Sequence, residues 1–256
     1  MALIGETLKA GSNPVRVANS KMETDRTLIV VPTYNERENV GALVVQLLQI
    51  APEADVLIID DNSPDDTVAF AQKLFGADQR FSTLARTGAR SYGRSLLDGY
   101  HIAVERGYAR LVQLDADFSH DPKMVPVLIN ASREADVVIG SRYCRRGRVV
   151  NWPWHRRLFS RFANQYVSRI TGLKVSDSTS GFRCYTRRAL QCLIDTHITS
   201  EGYAFLVETV FRAQREGLRI IEIPITFTDR RAGQSKMSGK VIFESALKPW
   251  RLRFGR

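Results

Sequence analysis

The stretch RLVQLDADFSHDP, Arg110 to Pro122, decides how the rest of the chain is read. Arg110 to Leu114 predict a buried strand, and that strand runs directly into Asp115-Ala116-Asp117. Burying an ionised carboxylate is costly unless it is paired or bound to a metal. Two of them, one residue apart at the end of a core strand, therefore point to function rather than stability. Hard oxygen ligands in such a place suit Mg²⁺ or Mn²⁺, ions that usually also hold substrate phosphates. In an open α/β sheet the ligand crevice lies outside the carboxyl ends of the strands, which is where this motif falls. The competing structural reading makes Asp117 a turn cap ahead of Asp121-Pro122.

Upstream, Thr27 to Val31 (TLIVV) is a continuous apolar run suited to a strand buried on both faces. After Pro32-Thr33-Tyr34-Asn35-Glu36, the spacing of Asn35 and Glu38 predicts a capping box. Val40, Leu43, Val44, Leu47 and Leu48 give the helix that follows one apolar face. Val56 to Ile59 predicts a second strand, followed by the acidic loop DDNSPDDT and a helix from about Thr67 to Leu74. Arg94 to Arg106 predicts another helix, and Asp136 to Gly140 another strand. Strand, acidic loop and helix in alternation is the rhythm of parallel βαβ units.

The second half is less regular. His155 to Ile170 predicts a basic helix whose apolar face comprises Leu158, Phe159, Phe162, Tyr166, Val167 and Ile170. Ala204 to Arg215 predicts a helix, and Arg219 to Phe227 an extended segment in which Pro224 argues for a sheet edge or a bulge. Met1 to Asp25 is weakly patterned and reads as a mobile tail or short helical arm. With no internal repeat and no clear boundary, the expectation is one α/β domain.

Composition narrows the function. Lys and Arg number 37 against 27 Asp and Glu, a net charge of +10, and 44% of residues are hydrophobic. A basic chain meets anionic partners: phosphorylated substrates, an anionic membrane or nucleic acid. The aromatics are not interleaved with basic residues in an RNA-binding pattern, and acidic loops line the expected crevice, so a nucleic-acid-binding module is only the distant alternative. Cys144, Cys184 and Cys192 lack metal spacing and read as reduced thiols of a cytoplasmic setting. No apolar run reaches the length of a spanning helix, and the first two dozen residues lack a signal-peptide core.

The motifs stand in one order: PTYNERENV, IIDDNSPDDT, DADFSHDP, IGSRY, RRLFSR, DSTSGFR, EGYAF and DRRAGQSKMS. This order resembles the inverting, GT-A-fold glycosyltransferases of family two, and within them the polyprenol-phosphate mannosyltransferases, also called dolichol-phosphate mannose synthases. The likeness runs from about Thr27 to Gly239; the run from GSRY through TSGFR to DRxxGxSK is its most specific part. It implies a Rossmann-like, mostly parallel central sheet flanked by helices in a single catalytic domain over 26–239. A tail over 1–25 and a basic amphipathic segment over 240–256 flank that domain. It also implies GDP-mannose as donor, a polyprenyl phosphate as acceptor, a divalent metal and a β-mannosyl phosphoryl lipid as product.

Residue roles follow from that resemblance. Pro32, Tyr34 and Glu36 match the loop that holds the donor nucleoside, and Ile59 and Asp61 match positions near base and ribose. Asp115, Ala116 and Asp117 match the donor and metal motif, with Asp117, Asp115 and Ser119 as ligands; His120 is expected to fix the loop. Arg142, Arg156 and Ser160 match the acceptor-phosphate positions, with Arg142 reaching the donor as well, and Ser178 to Phe182 are expected to shape the floor of the sugar site. Arg230 and Lys236 match residues that grip the donor diphosphate, on a loop that Gly233 marks as a lid. Glu208 is either functional or a paired structural carboxylate. In Ala89-Arg90-Ser91-Tyr92 the chain departs from the pattern: Ala89 takes the place of a lysine, with Arg90 beside it, and Ser91 replaces a glycine. Lysine and arginine are not equivalent phosphate binders, so a UDP-sugar, glucose or a uronic acid, is the alternative donor.

A phosphate monoester acceptor has a second pKa near 6 and is mostly dianionic at neutral pH, so the chemistry needs no general base and the sequence offers no compelling one. Phe243, Ala246, Leu247, Trp250 and Phe254 recur at helical spacing among Lys236, Lys240, Lys248, Arg251, Arg253 and Arg256. A basic, Trp-containing helix of this kind suits the cytoplasmic face of an anionic membrane. If that helix packs on the core instead, a separate membrane-anchoring protein is required.

Overall fold

The structure, a computed structural model, describes residues 25–229 and 239–255. The expected tail, Arg230, Lys236 and the lid loop around Gly233 lie outside the described residues. The first half runs β1 (Thr27–Thr33), α1 (Arg37–Ile50), β2 (Ala54–Asp60), α2 (Thr67–Phe75), β3 (Phe81–Ala85), α3 (Tyr92–Glu105) and β4 (Arg110–Gln113). After a 3-10 turn at Pro122–Met124 come α4 (Val125–Ala131), β5 (Val137–Ser141), β6 (Arg148–Val150) and α5 (Trp154–Thr171). The chain continues through β7 (Arg183–Thr186), α6 (Arg187–Asp195), α7 (Gly202–Arg215), β8 (Ile220–Pro224), β9 (Thr226–Thr228) and α8 (Gly239–Phe254).

One seven-stranded sheet has the order β3-β2-β1-β4-β7-β5-β8. All its pairings are parallel except those of β7, which runs antiparallel to β4 and β5. This is the mostly parallel, helix-flanked α/β architecture of a GT-A-like fold. β1 and β2 are buried almost throughout because helices cover both faces. On one face Val40, Leu43 and Leu47 of α1 and Ala71 of α2 pack over Ile29, Val31 and Ile58. On the other, Leu96 and Tyr100 of α3 with Phe205 of α7 pack over Val30 and Ile59. Gly99 lets α3 approach this closely, since a Cβ there would lie 3.0 Å from Val30.

β1 takes β2 on one side and β4 on the other. The chain order therefore reverses at β1, and the ligand crevice belongs beyond the carboxyl ends of β1 and β4. Val30 lies opposite Gln113, which places Tyr34 and Asp115 at the same end of the sheet. β8 is the sheet edge that Pro224 predicts. β9 pairs with β6 in a separate two-stranded ribbon and reaches back to the DADFSH loop, where Thr228 N–H donates to the Ser119 carbonyl at 3.2 Å.

One local expectation is overturned. Asn35 does not cap α1: it sits in the left-handed region at φ 58°, and Glu36 occupies the cap position without a side-chain hydrogen bond. The amides at that helix start are satisfied from the acidic loop instead. Asn35 N–H donates to Ser63 Oγ, Glu36 N–H to Thr67 Oγ1 and Arg37 N–H to Asp65 Oδ2. Asp65 Oδ1 also accepts from Thr67 N–H, so one carboxylate serves the starts of two helices, as the dipole favours. On α5 the apolar face divides: Val167 is buried, whereas Leu158, Phe159 and Phe162 point outward to solvent.

Glu208 resolves as structural. Wholly buried on α7, it accepts from Ser200 N–H at 3.0 Å and Arg212 at 3.1 Å, and pairs with Lys248 of α8 at 3.3 Å. Leu252 adds a buried apolar contact, so α8 docks through Lys248 and Leu252. Burial alone would raise the Glu208 pKa, but the Ser200 hydrogen bond, Lys248 and Arg212 overcome it and hold the group below its ordinary value of 4.5. A carboxylate depressed in the folded state contributes stability above its unfolded pKa and loses that contribution as pH falls through the folded one. Glu208→Gln is therefore expected to cost about 3 kcal/mol at neutral pH, with the gap to wild type closing in denaturation curves taken below about pH 4.5. A gap that does not change with pH would contradict this.

Candidate active site

The DADFSH turn is held under strain. Phe118 adopts φ 59°, a left-handed conformation costly for a bulky residue. Asp117 Oδ1 stabilises it by accepting from Ser119 N–H at 3.0 Å, while Asp121 caps the 3-10 turn by accepting from Lys123 N–H. Asp117 and Ser119 are nearly buried, and Ala116 lies within the core. Asp115 Oδ1 accepts from the Tyr92 hydroxyl at 3.0 Å. His120 fixes the loop: it is buried, its Nδ1 accepts from Asp115 N–H at 3.4 Å, and its ring packs on Phe182 and Phe227. Burial, only partly opposed by Asp117, lowers its pKa to about 4, which leaves a neutral imidazole of little basicity.

The donor set is two carboxylates and a hydroxyl at a strand end. Among the described residues no cluster of three or more His, Cys, Asp or Glu side chains could hold a metal alone. An ion here would complete its shell from substrate and water, and that matches the habit of Mg²⁺, which takes one or two protein carboxylates plus substrate phosphates. The residues fit such an ion.

Across the β1 end, Arg90 lies over the Tyr34 ring with its guanidinium carbon 3.8 Å from the centroid. The two expected donor contacts thus converge from separate loops. Glu36 Oε2 accepts from Asn39 Nδ2 at 2.8 Å. Ser91 shows why a glycine is dispensable there: its backbone is extended (φ −158°) and its hydroxyl caps α3 by accepting from Arg94 N–H at 3.3 Å. Asp61 is buried with Arg86 on one oxygen and Ser91 N–H, at 2.6 Å, on the other, so it anchors the loop that carries Arg90. The side chain of Ile59 is wholly buried beneath α3 and packs in the core.

Arg142 leaves the end of β5 into a buried ion pair. Its Nε and Nη2 donate to the two oxygens of the wholly buried Asp177 at 2.7 and 2.6 Å, and Nη2 also donates to Thr179 Oγ1 at 2.7 Å. Burial by itself would raise the Asp177 pKa; the guanidinium holds it below the ordinary carboxylate range. α5 presents one face to this region. Ser160 Oγ accepts from the Tyr143 hydroxyl at 2.7 Å, and Asn164, one turn on, accepts from Ser178 N–H and donates to Thr179 Oγ1. Arg156, one turn before Ser160, contacts Asp229 at 3.1 Å and lies over Trp152 at 4.0 Å. Trp152 packs edge-on against Phe227, over which Arg142 also lies, at 5.3 Å. The two arginines therefore sit on one aromatic ladder that ends at His120 and the DADFSH loop.

Several organising residues escaped the sequence reading. Asp177 and Arg183 bracket DSTSGFR. Arg183, wholly buried, donates to the carbonyls of Ser178, Ser180 and Leu206 and so holds the turn between them. Asn164, Trp152 and Phe227 carried no local signal, and Tyr92 and Asp229, though inside quoted stretches, had no role assigned, because these roles depend on segments far apart in the chain.

An open, mostly parallel sheet with paired carboxylates beyond its central strands, and a buried arginine and a helix-borne one on the aromatic ladder that reaches their loop, is the arrangement of a GT-A-like glycosyltransferase. The chain belongs to glycosyl transferase family 2, whose match covers residues 28–194. It is 40% identical over 248 residues to the polyprenol monophosphomannose synthase of Mycolicibacterium smegmatis, across 95% of this chain and 92% of that protein. It is 41% identical over 222 residues to the undecaprenyl-phosphate mannosyltransferase of Micrococcus luteus, across 87% of this chain and 91% of that protein. In fold it is similar to glucosyl-3-phosphoglycerate synthase from Mycobacterium tuberculosis, solved with Mn²⁺, uridine diphosphate and phosphoglyceric acid, with a TM-score of 0.65 and 16% identity over 90% of this chain and 79% of that one. At that identity the likeness carries the fold alone.

Gly181 supplies a test of the site geometry. A Cβ there would stand 2.8 Å from the Tyr92 hydroxyl and 3.4 Å from the Asp115 carboxylate. Gly181→Ala should push Tyr92 and Asp115 out of place and lower kcat/KM by about 10–100-fold, at a stability cost of about 1–3 kcal/mol. Introducing Gly181→Ala into a Tyr92→Phe background, where the obstructing hydroxyl is gone, should give a smaller further loss. An equal loss in both backgrounds would contradict the contact.

Proposed function

We propose that this glycosyltransferase moves mannose from GDP-mannose to a polyprenyl phosphate with inversion, giving a β-mannosyl phosphoryl polyprenol. The observation that carries the reading is the aromatic ladder on which Arg142 and Arg156 both lie, Phe227 and Trp152, which reaches His120 of the DADFSH loop, with Ser160 one turn on from Arg156. A guanidinium and a hydroxyl at four-residue spacing on one helix face suit a phosphate monoester. The two mannosyltransferase relatives, aligned over nearly their full lengths, support both the sugar and the lipid phosphate. The Arg90–Tyr34 stack supports a purine or pyrimidine base at the β1 end.

In this mechanism an acceptor phosphate oxygen attacks the anomeric carbon in line. A new C–O bond forms on one face as the bond to the donor diphosphate breaks on the other, and GDP leaves. Asp117, with Asp115 and Ser119, would hold a divalent ion, Mg²⁺ or Mn²⁺, which when bound neutralises charge on the leaving diphosphate. Arg142 is kept rigid by Asp177 and supplies a fixed positive group between the two phosphate sites. Arg156 is half-exposed, and its contact with Asp229 is exchangeable, so it is the arm that receives the acceptor. Arg230 and Lys236, next along the chain from Asp229, grip the donor diphosphate. No side chain need remove a proton, in keeping with the weakly basic His120. The protein contributes position and charge stabilisation. It acts at the cytoplasmic face of a membrane as a peripheral protein; among the described residues no helix is long and apolar enough to cross one.

Steady-state kinetics with separate donor titrations test this division. Arg156→Ala should raise the KM for lipid phosphate by the equivalent of about 1.5–3 kcal/mol while leaving donor affinity unchanged. Asp229→Asn should lower that KM by up to about five-fold, the worth of a solvent-exposed ion pair. Asp117→Asn should abolish most turnover and its metal dependence while the protein stays folded. Loss of donor binding in Arg156→Ala, or near-normal metal-dependent turnover in Asp117→Asn, would overturn the assignment.

A further inference from the structure

The ladder between β4 and β7 stops at Gln113 and Arg183. Carried further in the same register it would set Asp115 opposite Gly181, and the two chains do meet there: a Cβ on Gly181 would stand 3.4 Å from the Asp115 carboxylate. Neither residue belongs to a strand, so backbone pairing does not hold this contact. A side chain spans the gap instead. Gln113 Nε2–H donates to the Gly181 carbonyl at 3.0 Å. Gln113 is wholly buried, and a buried amide is costly unless both of its ends are satisfied. Here both are, because its Oε1 accepts from the buried Tyr100 hydroxyl at 2.6 Å.

Alternation along the chain from β4 explains the arrangement. Leu111, Gln113 and Asp115 share the side that faces α3, whereas Val112, Leu114 and Ala116 pack in the core on the other side of the sheet. α3 meets its side with two tyrosines about two turns apart on its apolar stripe. Tyr100 reaches Gln113, and Tyr92 reaches Asp115. The direction of each bond follows from the groups. A carbonyl only accepts, so Gln113 turns its NH₂ toward Gly181 and its oxygen toward Tyr100, whose hydroxyl must then donate. Burial raises the Tyr100 pKa well above its ordinary 10, so that hydroxyl keeps its proton. The Tyr100 ring is itself fixed against Tyr185 and Phe205, with centroids 5.3 and 5.9 Å away.

We propose that Gln113 and Tyr100 are positioning residues for glycosyl transfer: Tyr100 aims the Gln113 amide, Gln113 clamps Gly181, and Gly181 is the wall that keeps Asp115 and Tyr92 in place to serve the divalent ion. The proposal rests on the assignment of Asp115 and Asp117 to that ion. An apolar residue at position 113 would fill the core, but it could not reach past the end of the ladder to a carbonyl. The ladder ends where the crevice opens, and the clamp keeps the carboxylate in register beyond that end. Gln113 acts through the backbone of Gly181 and has no contact with α5, which carries Arg156 and Ser160. Its influence therefore falls on the metal and the donor diphosphate, not on the acceptor phosphate.

Mn²⁺ binding to the intact protein with GDP or UDP, followed by electron paramagnetic resonance of the free ion, reads the position of Asp115 without any sugar transfer. Gln113→Met and Tyr100→Phe should each weaken Mn²⁺ binding about ten-fold, the lower end of what a partner outside the ligand shell contributes. Because Tyr100 acts through the amide, Tyr100→Phe should add less than about two-fold in the Gln113→Met background. In steady state kcat should fall with metal affinity while the KM for lipid phosphate stays at the wild-type value. Tyr100→Phe removes a single oxygen and carries the test alone where Gln113→Met does not fold. Tyr108→Phe removes a hydroxyl bond to Asp55 at the opposite end of the sheet; it controls for lost stability and should leave Mn²⁺ affinity unchanged. Both nucleotides are used so that the outcome is separate from the mannosyl reading: tight Mn²⁺ binding with UDP alone, weakened in the variants, would fail that reading and keep the clamp. Undiminished Mn²⁺ affinity in Tyr100→Phe, an equal loss in Tyr108→Phe, or a Tyr100→Phe effect that persists in full in the Gln113→Met background would overturn the clamp. Wild type that binds no Mn²⁺ with either nucleotide would overturn it together with the metal assignment.

Discussion

The ion pair between Arg142 and the wholly buried Asp177 is the interaction on which the site depends. Removing one partner of such a pair leaves an uncompensated buried charge and costs far more than the pair contributes. The pair joins the end of β5 to the Asp177–Gly181 turn. Arg183 closes that turn from below, and Gly181 lies against Asp115 and Tyr92 at its other end. The carboxylates beyond β4 and the arginine beyond β5 are thus fixed relative to one another through buried charge and hydrogen bonds. The donor-side loops have their own anchor in Asp61, held by Arg86 and Ser91.

Legibility followed burial. β1, β2 and β4 were readable because strands covered on both faces are nearly continuous apolar runs, and the acidic motifs at their ends marked the crevice. β3, an edge strand only partly buried, has no such run and was missed. β7 was missed because four residues inserted antiparallel between β4 and β5 owe their place to neighbours distant in sequence. The capping pattern at Asn35 and Glu38 misled because Asp65, Thr67 and Ser63 satisfy the α1 amides from another loop, a long-range arrangement that local spacing does not encode. Ile59 is a motif position whose side chain belongs to the core. The apolar stripe of α5 was visible as periodicity, but periodicity does not say whether a stripe faces the core or the outside.

The candidate site divides along the same line. Asp115, Asp117, Arg142, Arg156 and Ser160 were identifiable as residues of a motif order. The residues that orient them were not, because Tyr92, Asn164, Asp177 and Phe227 act through contacts between separate segments. These contacts give the proposed acceptor site a rigid arginine and an exchangeable one. Asp229 sits on the exchangeable arginine.

The central claim is the transfer of mannose to a lipid phosphate. It is tested most directly by incubating the intact protein with polyprenyl phosphate, a divalent metal and radiolabelled GDP-mannose, in parallel with UDP-glucose and a UDP-uronic acid. The account predicts organic-extractable label from GDP-mannose alone, dependent on both the metal and the lipid phosphate. Label carried into lipid only from a UDP-sugar, or transfer from GDP-mannose to an acceptor lacking the phosphate, would contradict it.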